Sequence, residues 1–412
     1  MKFLHAADLH IDSPLRGLER LDGAPVEQIR RAPRDAFRTL INVALEEKVD
    51  FVILAGDIYD GDWRDVGTGM FFASELRRLG DIPVFIVRGN HDAQSVITKS
   101  LRLSANVREF SAHKPQTHRL TVGDLEVALH GQSYANRAVT DDLAAGYPLK
   151  SESCLNIGVL HTSLFGFAGH EPYAPTTLDV LRSKGYDYWA LGHVHERQIL
   201  ERDPLIVFPG NLQGRHIGEA GAKGCMLVSD EGTSGTLSVA FRSLDVVRWL
   251  RAVVAVDGKL DYDAVVAAVN EVIFDAVQEA EERLLCVRVL LRGASPCHAD
   301  LIARRVELEA QVRADSGAHA WIESLRVETS SDRDMAALRS GDDLVGELFR
   351  SVERARTDER RRTELAAALS AVREKIPADV RRAFGTPLEG EEESFIEILD
   401  DAERILAAKV IA

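Results

Sequence analysis

PVFIVRGNHD, residues 83–92, runs from an apolar stretch straight into Asn90, His91 and Asp92: a carboxamide, an imidazole and a carboxylate in consecutive positions. A short apolar run closed by Pro on one side and Gly on the other reads as a buried strand. Gly, Asn and Asp also tolerate tight backbone geometry, so the polar end taken alone is equally a turn. The rest of the chain decides. KFLHAA, FVILAG, LEVALHG, LNIGVLH, YDYWALG and LIVFPG repeat the habit of an apolar run ending in Gly or a polar cluster. Between the first two of these, residues 26–47 carry Ile29, Ala36, Phe37, Leu40, Ile41 and Ala44 at helical spacing, which suits a crossover helix joining parallel strands. The expected fold class is therefore α/β, a β-sheet core flanked by helices.

The chain of 412 residues is 45% hydrophobic, enough for two or three domains with a sizeable core. MKFLHAADLH is interrupted by Asp8 and His10 before a signal or membrane segment could form, so a cytoplasmic protein without membrane contact is expected. Cys154, Cys225, Cys286 and Cys297 show no CxxC spacing, which signals neither a disulfide framework nor a thiolate zinc site. A net charge of −15 disfavours gripping nucleic acid by bulk electrostatics.

Residues 1–245 form the expected first domain. After CMLVSD and TLSVAF the texture changes, and residues 246–330 read as a compact βαβαβ unit. Its strands are WLRAVVAV, RLLCVRVLLRG and WIESLRVET, and its helices are DYDAVVAAVNEVIFDAV and ADLIARRVELEAQV. Residues 331–412 turn to Ala, Leu, Glu and Arg with a helical period: Leu344, Leu348, Val352, Leu365, Leu369, Val372 and Ile376, then Phe395, Ile398, Leu399, Ile405 and Leu406. An apolar helical stripe must be buried, either on the chain's own domains or on a partner.

Polar clusters close the apolar runs. HAADLH delivers Asp8 and His10, ILAGD delivers Asp57, VRGNHD delivers Asn90 and His91, GVLH delivers His161, and LGHVH delivers His193 and His195. The carboxyl ends of strands in open α/β sheets form the ligand crevice, so groups far apart in sequence can converge there. Two Asp, one Asn and four His are too many for one tetrahedral zinc, and their mixed oxygen and imidazole character suits two ions of the manganese, iron or zinc type. If Asp57 bridges the two, the carboxylates offset half of a +4 charge, and the site can hold a phosphate ester and a bridging hydroxide. His91, in excess of the coordination count, is the expected proton donor, with Asp92 orienting its ring.

HAADLHIDSPLRGL, AGDIYDGDWRD, RGNHD, LHTSLFGFAGHEPYAP and LGHVHERQ followed by FPGNLQGRHIGE resemble the calcineurin-like metallophosphoesterases. The likeness is strongest to the DNA repair exonuclease branch of SbcD-like and YhaO-like proteins. It covers residues 1–245 well, extends loosely over the second domain as that family's capping domain, and hardly reaches the tail. The resemblance implies that Asp8, His10, Asp57 and His195 hold one metal, and that Asp57, Asn90, His161 and His193 hold the other. It implies a two-metal DNA exonuclease using manganese first, with iron, zinc and magnesium as alternatives. DNA, an SbcC-like coiled-coil ATPase docked by the tail, and a second copy of the chain are the expected partners.

Other polar residues carry blander expectations. His5 and His130 fit satisfied structural histidines. His170 and Tyr173, in the loop after His161, either floor a substrate cleft or order the loop. Arg64, Arg88, Arg215 and His216 lie in or beside the motif loops and either meet phosphates or form salt bridges. The RRR at 360–362 suits a solvated helix face. Since fold does not choose substrate, a phosphoesterase for a small substrate such as a cyclic nucleotide stands as the alternative function.

Overall fold

The structure is a computed structural model, and it describes residues 1–15, 18, 23–60, 65–94, 103–164, 173–230, 237–331, 340, 342–360, 363–364, 367 and 399. Contacts divide the chain into two units. The first is Met1–Leu250 with Ala280–Val287 and His319–Glu323; the second is Arg251–Glu279, Arg288–Ala318 and Ser324–Ala412.

Two six-stranded sheets build the first unit. One has the order β12-β11-β1-β2-β3-β4, from β1 (Lys2–Ala6), β2 (Phe51–Ala55), β3 (Val84–Val87), β4 (Val107–Glu109), β11 (Gly224–Asp230) and β12 (Leu237–Ser243). β1 to β4 run parallel, and β11 and β12 complete the sheet antiparallel. The other has the order β5-β6-β7-β8-β10-β9, from β5 (Gln116–Val122), β6 (Leu125–Gly131), β7 (Leu155–His161), β8 (Tyr188–Gly192), β9 (Gln198–Arg202) and β10 (Leu205–Phe208). Its four inner strands are parallel and its two edges antiparallel.

The alternation of side chains along each strand explains the layering. In β2, Phe51, Ile53 and Ala55 join a core shared with Ile157, Val159 and Tyr188 of the second sheet, while Val52 and Leu54 face the opposite way. There they meet Phe37, Leu40 and Ile41 of α1 (Val26–Glu46) and Phe72 and Leu76 of α2 (Val66–Arg77). The far face of the second sheet is covered at Trp189, Leu191 and Phe208 by Leu181 of α3 (Leu178–Ser183) and by Tyr147. Both faces of the central strands are therefore dry, which is why their sequences are continuously apolar. Phe3 anchors the sheet-to-sheet contact, stacked on Phe51 at 4.7 Å and edge-on to Tyr188 at 5.4 Å.

A third sheet has the order β13-β14-β15, from β13 (Val247–Ala255), β14 (Leu284–Ala294) and β15 (Ala320–Ser330). By residue membership, the starts of these strands belong to the first unit, where Val247, Trp249, Cys286 and Trp321 pack with Ile29 and Ala32 of α1. In the second unit, Val256 N–H donates to Arg292 O and Ser295 N–H to Ser330 O, and α4 (Tyr262–Glu279), α5 (His298–Ala303) and α6 (Arg305–Asp315) complete a βαβαβ arrangement. α7 (Leu344–Thr357) carries Leu344, Leu348 and Val352. The expected apolar stripe at Leu365, Leu369, Val372, Ile376, Phe395, Ile398, Ile405 and Leu406 lies outside the described residues.

Candidate metal centre

The seven expected ligands all lie at the carboxyl ends of parallel strands in the first unit. Asp8 and His10 follow β1, Asp57 follows β2, Asn90 follows β3, His161 ends β7, and His193 and His195 follow β8. The backbone there is unusual. Asp8 (φ 51°), His10 (φ 43°), Asp57 (φ 51°) and His193 (φ 104°) are non-glycine residues in left-handed conformations, each costing on the order of 1–3 kcal/mol unless the surroundings enforce it. Hydrogen bonds enforce it: Asp8 N–H to Gly56 O and His10 N–H to Asp57 O, both 3.0 Å, and His193 N–H to the Asp8 carboxylate at 2.9 Å. Glycine lets the loops close up. A Cβ on Gly56 (φ 94°) would lie 2.3 Å from His161 Nδ1, and one on Gly89 would lie 2.3 Å from Asp57 Oδ1.

Three groupings result, two made of expected ligands and a third of His10, Asp60 and His91. In the first, atoms of Asp8, His10 and His195 lie within 4.8 Å of one another. His10 Nε2 and His195 Nε2 face each other at 3.2 Å, a separation two nitrogens tolerate only around a shared proton or cation. In the second, Asp57, His161 and His193 meet the same limit. His161 Nε2 is 3.0 Å from Asn90 Oδ1 and 3.4 Å from Asp57 Oδ2. The carboxylate, carboxamide and imidazole donors of these clusters suit divalent ions of borderline to hard character.

Charge follows geometry. Burial raises the Asp8 carboxyl although His195 and His161 oppose the shift, so a cation beside it would be strongly favoured. Burial alone would lower the His161 imidazole, but the Asp57 carboxylate overrides this and lifts it to about 9. Burial, then the Arg215 charge, pushes His10 down to about 4, leaving a neutral imidazole able to bind metal.

His91 sits at the rim, 33% exposed, its ring edge-on to His10 at 5.2 Å. The carboxylate beside it is not the expected one. Asp60 Oδ1 lies 3.4 Å from His91 Nδ1 and accepts from His10 Nδ1 at 2.7 Å. Asp92, expected to orient His91, instead accepts the backbone N–H groups of Ile58 (2.9 Å), Tyr59 (3.0 Å) and Gly89 (3.0 Å). It clamps the loop carrying Asn90 and His91 to the loop after β2. The correction has a simple cause: three converging amides satisfy a buried carboxylate better than one partly exposed ring.

Sequence reasoning missed Asp60, although its spacing from Asp57 in GDIYD was a usable signal. It also missed Glu219, which accepts from His195 Nδ1 at 2.8 Å and from Arg215 Nη2 at 2.8 Å. Of the cations, Arg88 pairs with Glu109, Arg215 with Glu219, and His216 caps Gly218 N–H. Arg64 and His170 lie outside the described residues, and Tyr173 packs edge-on to His193 at 5.6 Å. His5 is structural, bonded to Tyr188 Oη (2.9 Å) and Leu191 O (3.2 Å), as is His130, bonded to Thr117 (2.8 Å) and Asn156 (3.3 Å). The four cysteines are unbridged. Among the described residues, no helix is long and apolar enough to cross a membrane.

Comparison with known proteins agrees with the geometry. Residues 1–197 match the calcineurin-like phosphoesterase family, and residues 249–330 match the family described as metallophosphoesterase YhaO, middle domain. The chain is 33% identical over 362 residues to the uncharacterized metallophosphoesterase YhaO of Bacillus subtilis, covering 86% of this chain and 88% of that protein. It is 29% identical over 173 residues to the DNA double-strand break repair protein Mre11 of Sulfurisphaera tokodaii, 41% of this chain and 44% of the relative. The corresponding protein of Methanopyrus kandleri is 27% identical over 215 residues, 47% of this chain and 44% of the relative. The chain thus spans less than half of the two repair proteins. It belongs to the calcineurin-like metallophosphoesterases, hydrolases that bind two divalent metals.

Proposed function

We propose that this calcineurin-like metallophosphoesterase hydrolyses phosphodiester bonds of DNA as an exonuclease in DNA repair, with manganese as its working metal. The observation that carries the reading is the likeness of its metal-centre half to two DNA double-strand break repair proteins. Asp8, His10, Asp57 and His195 would hold one ion, and Asp57, Asn90, His161 and His193 the other. When bound, two such ions would supply positive charge for a phosphoryl group and activation of water. The chain's own contribution is position. The left-handed ligand residues and the Asp92 clamp fix the donors before substrate arrives, which removes reorganisation from the reaction step. His91, its Nδ1 3.4 Å from Asp60 Oδ1 and its ring open at the rim, would give a leaving-group oxygen a proton or a hydrogen bond.

A second reading, a phosphodiesterase for a small substrate such as a cyclic nucleotide, is favoured by the net charge of −15. One experiment separates them: purified protein with manganese on single-stranded DNA, duplex ends and bis-p-nitrophenyl phosphate. Cleavage of DNA from its ends supports the nuclease. Hydrolysis of the small diester with intact DNA sinks it. We also propose an SbcC-like coiled-coil ATPase and a second copy of this chain as partners, checked by co-purification and by sedimentation.

A further inference from the structure

Both histidines of the first cluster have their distal nitrogen tied to a carboxylate: His10 Nδ1 to Asp60 Oδ1 at 2.7 Å, His195 Nδ1 to Glu219 Oε1 at 2.8 Å. In the second cluster, the hydrogen-bond acceptor of His161 Nδ1 is a backbone oxygen, Ala55 O at 3.0 Å, with the Asp8 carboxylate farther off at 4.0 Å. Glu219 reaches its position through the short turn Ile217–Glu219 and is buried to 7% exposure. Its carboxylate takes further hydrogen bonds from Arg215 N (2.8 Å), Arg215 Nη2 (2.8 Å) and Asn211 Nδ2 (3.0 Å). Arg215 also reaches the other carboxylate, its Nη1 lying 3.9 Å from Asp60 Oδ1. Lys223 Nζ donates to His195 O at 2.7 Å, fixing the backbone that carries the ring.

A buried Arg–Glu pair alone would account for a stable loop. It does not account for the bond to His195. His195 Nδ1 has two neighbours, the Glu219 carboxylate at 2.8 Å and Arg215 Nη2 at 3.3 Å. The shorter contact is to an acceptor, which favours the proton on Nδ1 and leaves the Nε2 lone pair toward His10 Nε2, where a shared cation would lie. A carboxylate acceptor also makes the imidazole a stronger donor than a carbonyl acceptor does. We infer that Glu219 is the positioning residue for metal ligand His195, and that Arg215 couples it to Asp60 so that the two imidazoles of this one metal position are held as a unit. This rests on the two-metal reading above.

The test is manganese titration of the metal-free protein by calorimetry, with bound metal counted by elemental analysis. Wild type should show two sites. Glu219→Gln should weaken one of them by about 10- to 100-fold, the usual loss when an imidazole's carboxylate partner is removed, and leave the other unchanged. Added to His195→Gln, the same change should cause no further loss, because its effect passes through that ring. Where the amide variant does not fold, Glu219→Asp, which keeps the charge and shortens the reach, should give the same one-site loss. Wild-type affinity at both sites in a folded variant, equal weakening of both, or additive losses with His195→Gln would each overturn the assignment. A wild-type protein that binds fewer than two ions would instead overturn the two-metal reading beneath it.

Discussion

Gly89→Ala adds one methyl group at the crowded centre of the site. Its Cβ would lie 2.3 Å from Asp57 Oδ1 and 2.8 Å from both Asp57 N and His161 Nε2. Carbon contacts are comfortable at about 3.5 Å, so ligand atoms must retreat by roughly 1 Å. Neither obstacle is a flexible side-chain end. Asp57 Oδ1 is held by His91 N–H at 3.0 Å, and His161 Nδ1 by Ala55 O at 3.0 Å. Overpacking of this kind costs about 1–3 kcal/mol in stability, and a displacement of about 1 Å at a reacting centre can cost about 10²-fold in rate. Gly89 has no left-handed backbone conformation to lose, so the effect would be steric alone. Urea unfolding of the metal-free variant gives the first number, elemental analysis and hydrolysis of a chromogenic diester the second. A variant with wild-type stability that holds two metals at full activity would refute the claim that the loop between β3 and His91 is packed against its ligands.

On the proposal that Asp57 is shared by two ions, Asp57→Ala should abolish hydrolysis and reduce metal at both positions; two metals per chain in that variant would show that Asp57 does not bridge. His91→Ala should keep its metal while turnover falls by about 10² to 10⁴, and loss of metal together with rate would make His91 a ligand. Asp92→Ala leaves the amides of Ile58, Tyr59 and Gly89 without their shared acceptor, at about 1–3 kcal/mol for a buried group, so a denaturant midpoint equal to wild type would contradict its clamping role. In the metal-free protein, the His161 imidazole is raised to about 9, so its stabilising contribution is full below 6.5 and lost as pH rises through 9. Metal must displace that proton, so manganese affinity of the second cluster should climb about tenfold per pH unit toward 9; a titration flat with pH would reject the Asp57–His161 pairing.

The apolar runs located the central strands because strands buried on both faces carry no polar interruption. The same feature hid their partners. Nothing in FVILAG says that Phe51 faces a second sheet and Val52 a helix, so the division into two sheets comes only from packing. The edges were harder still. β5 alternates half-buried and exposed positions, and β9 is mostly half-buried, so neither resembles the inner runs.

The site shows where chain neighbours and spatial neighbours part. The candidate ligands stand out in the sequence because each lies at the end of a run that is itself legible. The residues that hold the ligands have no such marker. Asp92 follows His91 in the chain, yet its carboxylate reaches back to the amides of Ile58 and Tyr59, while the carboxylate nearest the His91 ring comes from Asp60, on another strand's loop. Glu219 stands four residues after Arg215, a spacing that reads as an ordinary helical ion pair. Only the fold brings it to His195, 24 positions away. A turn reverses side-chain directions between successive residues, so adjacency in RGNHD marks the loop as chemical without saying which pair acts together. Reading which carboxylate serves which imidazole therefore requires the sheets to be assembled first: the ligands are set by strand ends, and their partners by whatever the neighbouring strand ends bring alongside.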